Sequence, residues 1–247
     1  MAHALRLKSS YISTIRGLAT LSRGTGFTRW LDARQDRSRL AHWTRSLGAI
    51  HDLDAMIALD VPWWTYRAID AVTLFLASRP EARVFEYGSG ASTAWLARRA
   101  GHVTSVEHHG GWHDRMQIAL AARSDLGPVD LSLVPPDNTP ASDMKYRSAK
   151  PGETGRSFAA YARTIDDGPA TPYDLIVIDG RARQACLDHA ADHLAPGGMI
   201  VFDNSARRRY RRAIAASPFD AIPLRGLTPA LPYPDQTTLL FRAEPAA

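Results

Sequence analysis

The sequence predicts an α/β protein built on a doubly wound, mostly parallel sheet. From Arg83 onward, short apolar runs alternate with longer amphipathic stretches, the pattern of strands joined by helices. The runs in Asp174–Asp179 and Met199–Phe202 show no polar alternation, as expected of strands covered on both faces. The glycine-rich and acidic motifs fall at the carboxyl ends of these strands, where open α/β sheets bind ligands.

Taken in order, residues 1–60 read as helical, with breaks near Gly24-Thr25-Gly26 and Gly48. Val61-Pro62-Trp63-Trp64-Thr65-Tyr66 leads into an apolar helix that runs to about Ala77. Val84–Tyr87 is the first strand. Thr93–Ala100 is a helix with Ser92 as its cap. Val103–Glu107, Trp112–Arg123 and Val129–Val134 follow as strand, helix and strand, the last stopped by Pro135-Pro136. Residues 137–172 form a long, polar, Gly/Pro-rich connection, a length that usually signals function or mobility. After the strand Asp174–Asp179 comes the helix Ala185–Leu194, which ends before Pro196-Gly197-Gly198. Met199–Phe202, the helix Ala206–Ala216, and strands at Ala221–Leu224 and Thr237–Phe241 complete the series. The division expected is a basic helical extension over 1–60 and a catalytic domain over 61–247.

At 247 residues and 45% hydrophobic, the chain can bury a sizeable core. The longest apolar run, Ala71–Ala77, is far short of the roughly 20 residues of a membrane span. There is no secretory h-region, and the single cysteine, Cys186, excludes an internal disulfide framework. These features lead to the expectation of a cytoplasmic protein. The net charge of +5 is unevenly placed. Residues 1–50 carry Arg6, Lys8, Arg16, Arg23, Arg29, Arg34, Arg37, Arg39 and Arg45 against Asp32 and Asp36. Such an arm suits a solvated helix surface, or contact with nucleic acid, an anionic membrane periphery or an acidic substrate. No clear nucleic-acid partner is encoded, and a homodimer is compatible with the sequence.

Glu86-Tyr87-Gly88-Ser89-Gly90 sits between a predicted strand and a predicted helix. Glycines there let the backbone approach a ligand. Glu107 ends the next strand, 21 residues after Glu86, and a carboxylate in that place can accept hydrogen bonds from ribose hydroxyls. A nicotinamide dinucleotide site uses a similar pattern. Here the third glycine is replaced by Ser92 and Thr93, and Glu86 would repel a pyrophosphate. The ammonium group of S-adenosylmethionine (SAM) would instead favour that charge. A ligand-free turn is the third alternative.

Phe85–Thr93, Val106-Glu107-His108, Asp174–Arg183, Pro196-Gly197-Gly198 and Asp203-Asn204-Ser205 together resemble a bacterial branch of the class I SAM-dependent methyltransferases. The resemblance covers roughly residues 60–242. It implies a Rossmann-like seven-stranded sheet of order 3-2-1-4-5-7-6 with the last strand antiparallel. It implies SAM as cofactor, bound at Glu86, Gly88, Ser89, Gly90, Ser92, Glu107, His108, Asp137 and Asp179, with Pro136 and Asp137 beside the adenine.

Asp179 ends the fourth predicted strand, and Asp203 and Asn204 end the fifth. This trio resembles the metal-dependent O-methyltransferases, in which such oxygens hold Mg²⁺. That resemblance implies a metal at Asp179, Asp203 and Asn204 that acidifies and orients a substrate hydroxyl, with Asp179 and Asp203 catalytic. Two other readings stay open. Asp179 could be a metal-free base or substrate ligand, or Asp203-Asn204 could cap the following helix. Arg181, Arg183 and Arg207-Arg208-Arg209 could pair with the carboxylates or bind an anionic substrate. His189 and His193, four apart beside Asp188 and Asp192, read as a solvated face. Trp63, Trp64 and Tyr66 read equally as pocket wall or packing, and Tyr146 and Tyr161 as lid residues. The function expected is O-methylation of a hydroxyl on a small molecule or glycan. The alternatives are metal-independent transfer and a non-catalytic SAM-fold binding module with a basic arm.

Overall fold

The computed structural model describes residues 26–50, 52–148 and 150–242. The basic positions Arg6, Lys8, Arg16 and Arg23 lie outside them. Two short helices, α1 (Gly26–Asp32) and α2 (Arg39–Ser46), precede α3 (Leu53–Ala58) and α4 (Tyr66–Ala77). Then strands and helices alternate: β1 (Arg83–Tyr87), α5 (Ala91–Ala97), β2 (His102–Glu107), α6 (Gly110–Ala121) and β3 (Val129–Leu133). After a long connection containing α7 (Ala159–Arg163) come β4 (Tyr173–Ile178), α8 (Arg183–His193), β5 (Leu194–Phe202), α9 (Arg208–Ala216), β6 (Phe219–Gly226) and β7 (Asp235–Arg242).

The seven strands form one sheet in the order β3-β2-β1-β4-β5-β7-β6, as the family resemblance implied. β7 runs antiparallel to both β5 and β6, and the remaining pairings are parallel. Side-chain alternation splits the central strands between two cores. Val84, Leu175, Val177 and Val201 face α4 and α5, whereas Phe85, Tyr87, Ile176, Ile178 and Phe202 face α7, α8 and α9. That two-sided cover explains the unbroken apolar runs of β4 and β5.

The N-terminal helices are part of the same packing. Leu53 and Ile57 of α3 contact Ala94 of α5 and Met116 and Ala119 of α6. Trp43 Nε1 donates to the Leu231 carbonyl at 2.9 Å. Trp64 is fully buried edge-on against Trp95, with centroids 5.8 Å apart, so it packs the helices onto the sheet and walls no pocket.

The 137–172 connection is more ordered than its composition suggests. Its backbone is pinned by paired bonds between Asp137 and Ser157. Phe158, Tyr161, Ala162 and Ile165 are fully buried in the core beside α8. Each such ring or aliphatic side chain contributes about 1.5–3 kcal/mol through burial. Tyr161 is therefore a core residue and not a lid. His189 and His193 do not form a free face either, because both ring nitrogens reach Asp166, at 2.8 and 3.0 Å. They fasten the end of the connection to α8.

Candidate functional site

The carboxyl ends of β1, β2, β4 and β5 meet along one edge of the sheet. Gly88 follows β1 at φ +97°, and a Cβ there would lie 2.7 Å from the Gly180 Cα and 3.2 Å from the Asp179 carbonyl carbon. The turn after β1 thus packs directly on the turn after β4. Gly88 is required by backbone contact as well as by its positive φ. At Gly90 the nearest obstacle to a Cβ is Ser92 Oγ at 3.7 Å, so this part of the loop presents bare backbone.

Glu86 lies beneath the loop and has no solvent exposure. Its carboxylate accepts hydrogen bonds from Ser92 Oγ and Thr93 Oγ1, both at 2.5 Å, and from Ser105 Oγ at 2.7 Å. Thr93 Oγ1 in turn accepts from the Gly90 N–H, which fixes the start of α5. Burial pushes the Glu86 carboxyl up to about 7 against the three hydroxyl bonds that favour the anion. Glu86 and Ser92, expected to touch the cofactor, are turned inward and shape the loop from below. Ser92 does not cap α5, whose N-cap is Gly90.

Glu107 sits at the end of β2 and is 3% exposed. Its Oε1 accepts from the backbone N–H groups of His108 at 2.8 Å and His109 at 2.9 Å, and lies 2.8 Å from His108 Nδ1. Burial opposes its ionisation, but the His108 ring and these N–H donors outweigh burial and hold the carboxyl below its ordinary range. Oε2 receives only the Ser89 hydroxyl, at a long 3.1 Å. Trp112 Nε1 anchors the same loop by donating to the Ser89 carbonyl at 2.9 Å. An ionised, preoriented acceptor oxygen therefore faces the bare loop of Gly90. This carboxylate, with Oε2 held only by the long Ser89 bond among the described residues, and the open backbone fit the ribose and methionine parts of SAM. Glu107, Ser89 and Gly90 would hold it, with His108 at the rim. Asp137 is exposed, and its described bonds are those of its backbone to Ser157.

At β4 and β5 the carboxylates do not converge on an open space. Arg183, the first residue of α8 and 5% exposed, lies between them. Its Nη2 donates to Asp179 Oδ1 at 2.6 Å and to the Asp179 carbonyl at 2.7 Å. Its Nε donates to the Gly180 carbonyl, and Nη1 donates to the Asp203 carbonyl and lies 4.0 Å from Asp203 Oδ2. A cation at the positive end of a helix is unfavourable; here two carboxylates and three carbonyls offset it. Asp203 is 2% exposed and accepts from Thr237 Oγ1 at 2.8 Å. Burial, reinforced by the Asp179 charge, pushes its carboxyl well above the usual range.

This arrangement corrects the expected Mg²⁺ set. A guanidinium already fills the position between Asp179 and Asp203. Asn204, at φ +49°, turns its amide away to donate to Asp235 Oδ2 at 2.9 Å. No group of three or more His, Cys, Asp or Glu suited to a metal occurs among the described residues. The residues present do not fit a hard cation, which needs several converging oxygens. The capping reading also fails, because α9 starts at Arg208 with Arg207 as its N-cap. Sequence reasoning treated Arg183 as a flank and missed Asp235 and Thr237. Their only signal was their position at the mouth of β7, which pattern alone does not place beside Asp203.

Asp179 keeps a distinct character. Its side chain is 23% exposed, and only Oδ1 takes up the Arg183 hydrogen bond. Oδ2 accepts no hydrogen bond among the described residues, and the Asp179 backbone lies against the Gly88 turn. No helix among the described residues is long and apolar enough to cross a membrane.

Residues 85–205 match a family model described as a methyltransferase domain. No curated protein sequence matches the chain. Among solved structures, an O-methyltransferase from Bacillus cereus, in complex with SAH, aligns at TM-score 0.54 and 21% identity, over 80% of this chain and 90% of that one. An rRNA methylase from Streptococcus thermophilus aligns at TM-score 0.50 and 16% identity, over 71% of this chain and 96% of that one. TrmN from Thermus thermophilus aligns at TM-score 0.51 and 17% identity, over 77% of this chain and 52% of that one. At such identities the structural likeness speaks for the fold. Residues 85–205 thus resemble a methyltransferase domain, and the chain has the fold of the class I SAM-dependent methyltransferases.

Proposed function

We propose that this protein methylates a hydroxyl of a small molecule or glycan, using SAM and no divalent cation at Asp179, Asp203 and Asn204. The observation that carries the reading is Asp179, with one oxygen clamped by Arg183, the other without a hydrogen bond among the described residues, and its backbone against the Gly88 turn. SAM, when bound, would supply an electrophilic methyl group, its S–CH3 bond breaking to leave S-adenosylhomocysteine. Glu107 holds the ribose hydroxyls, and the Gly88–Gly90 loop passes the methionine part. Asp179 Oδ2 accepts a hydrogen bond from the acceptor hydroxyl, orients its oxygen and takes up its proton as the new C–O bond forms. Arg183 fixes the Asp179 rotamer, and its charge opposes the burial that pushes the Asp179 carboxyl up and readies it to take a proton.

The test is transfer of radiolabelled methyl from SAM to a panel of hydroxyl and amine compounds, with and without EDTA. Label on a hydroxyl, unaffected by EDTA and reduced about 100-fold or more in Asp179→Asn, is the expected outcome. Label on an amine, loss of transfer in EDTA, or full activity of Asp179→Asn would each overturn the reading. Tight SAM binding with no transfer to any compound would favour a non-catalytic binding module.

A further inference from the structure

Helix α9 carries a charge pattern that the proposed chemistry does not use. Arg207, Arg208, Arg209, Arg211 and Arg212 are all exposed, and no acidic residue lies between Asp203 and Asp220. Several arginines elsewhere are ion-paired, Arg39 with Asp70, Arg98 and Arg99 with Asp60, Arg123 with Asp54 and Arg183 with Asp179, whereas scattered single ones such as Arg67 and Arg225 form no ion pair among the described residues. None of the five on α9 forms an ion pair among the described residues. Arg207/Arg211 and Arg208/Arg212 are like-charged i,i+4 pairs, and the first turn opposes the helix dipole. The chain offsets this electrostatic cost only in part, through Arg207 and Arg209 over the Tyr210 ring.

The geometry narrows what could offset it. At about 100° per residue the five side chains radiate over roughly 200° of the helix. They also spread about 7.5 Å along its axis. They cannot converge on one phosphate, so the matching ligand has several anionic groups along its length. The apolar face of α9 is already spent: Tyr210 and Ile214 are buried, with Tyr210 edge-on to Phe202 at 5.3 Å. It is therefore not free to insert into a membrane. No exposed aromatic ring lies on α9 to stack nucleic-acid bases. Part of the array is preset, since Arg209 stacks on Tyr210 at 4.5 Å and donates to its hydroxyl at 3.1 Å. Arg207 follows Asp203 by four positions, at most about 14 Å of chain. The array therefore borders the methyl-transfer end, whose own groups are acidic.

We propose that the exposed arginine face of α9 binds the acidic groups of an anionic glycan and so holds the acceptor beside the end of β5. This rests on the hydroxyl-transfer reading and names its substrate class. Guanidinium forks match carboxylates and phosphates bidentately, which suits a chain of such groups.

The test is calorimetric titration of the full chain with hexagalacturonate, with a neutral galactose hexamer, and with a single-stranded RNA of equal charge. The acidic hexamer is expected to bind, to weaken steeply with salt, and to lose at least 10-fold affinity in the double variant Arg208→Gln/Arg212→Gln. S-adenosylhomocysteine affinity in that variant should stay unchanged, which separates this proposal from the cofactor reading. Equal binding of the neutral hexamer, no binding of the acidic one, tighter binding of the RNA, or an unaffected double variant would overturn it.

Discussion

Glu86 is fully buried, receives hydrogen bonds from three hydroxyls, and still has its carboxyl pushed up to about 7. Its folded value thus lies above the ordinary 4.5. Below pH 4.5 it is protonated in both states and contributes no pH dependence. Between about 4.5 and 7 the folded form keeps a proton that the unfolded chain releases, so stability falls as pH rises. The total loss is about 3 kcal/mol, fully felt above pH 7. Denaturant unfolding of wild type and Glu86→Gln across pH 4–8 measures it. The difference between their stabilities should change by that amount over this window, and a pH-independent difference would show that folding does not raise the Glu86 carboxyl. The sequence made Glu86 legible as special but not its role. An acidic residue two before a glycine reads the same whether it faces a ligand or three neighbouring hydroxyls. Ser105, one of those donors, lies on another strand, and only the β1–β2 register brings it there.

Among the elements, the turns after β1 and β4 are the tightest junction of the site. A Cβ on Gly180 would lie 1.9 Å from the Tyr161 hydroxyl and 3.1 Å from the Tyr87 carbonyl. The Tyr161 hydroxyl is buried and has no hydrogen-bond partner among the described residues. Gly180→Ala should therefore cost about 1–3 kcal/mol by overpacking. Tyr161→Phe should be close to neutral alone and should recover part of that cost in the double variant. Chemical denaturation of the four proteins reads the coupling; strict additivity would contradict the contact. Here the sequence was only half legible. β4 and β5 stand out because burial on both faces leaves an uninterrupted apolar signal. The connection before them was misread, because its polar residues 137–156 mask the buried anchor Phe158–Ile165. Likewise, Arg183 reads as a surface arginine until helix α8 is seen to start on it.

Across the whole molecule, residues 26–60 do not stand apart from the sheet. Leu53, Met56 and Ile57 are buried, and Arg98, Arg99 and Arg123 bind the acidic residues Asp60 and Asp54. A chain beginning at Val61 would expose those apolar contacts of α5 and α6. It should lose its cooperative thermal transition by circular dichroism, whereas an unchanged melt would show that α3 is dispensable. The sequence could not reveal this, since loosely spaced apolar residues predict a helix but not its partner. The sheet order was carried by the resemblance of motifs at strand ends, and the structure reproduces it.

At this same scale, the proposed methyl transfer requires the edge of the sheet to form a SAM site around Glu107. The most direct measurement is calorimetric binding of S-adenosylhomocysteine to wild type and to Glu107→Ala. Two lost charge-assisted hydrogen bonds correspond to a loss of roughly 100-fold in affinity. One-to-one binding by wild type, weakened to that degree in the variant, is the expected result. Absence of binding to folded wild type, or equal binding by both proteins, would contradict the assignment.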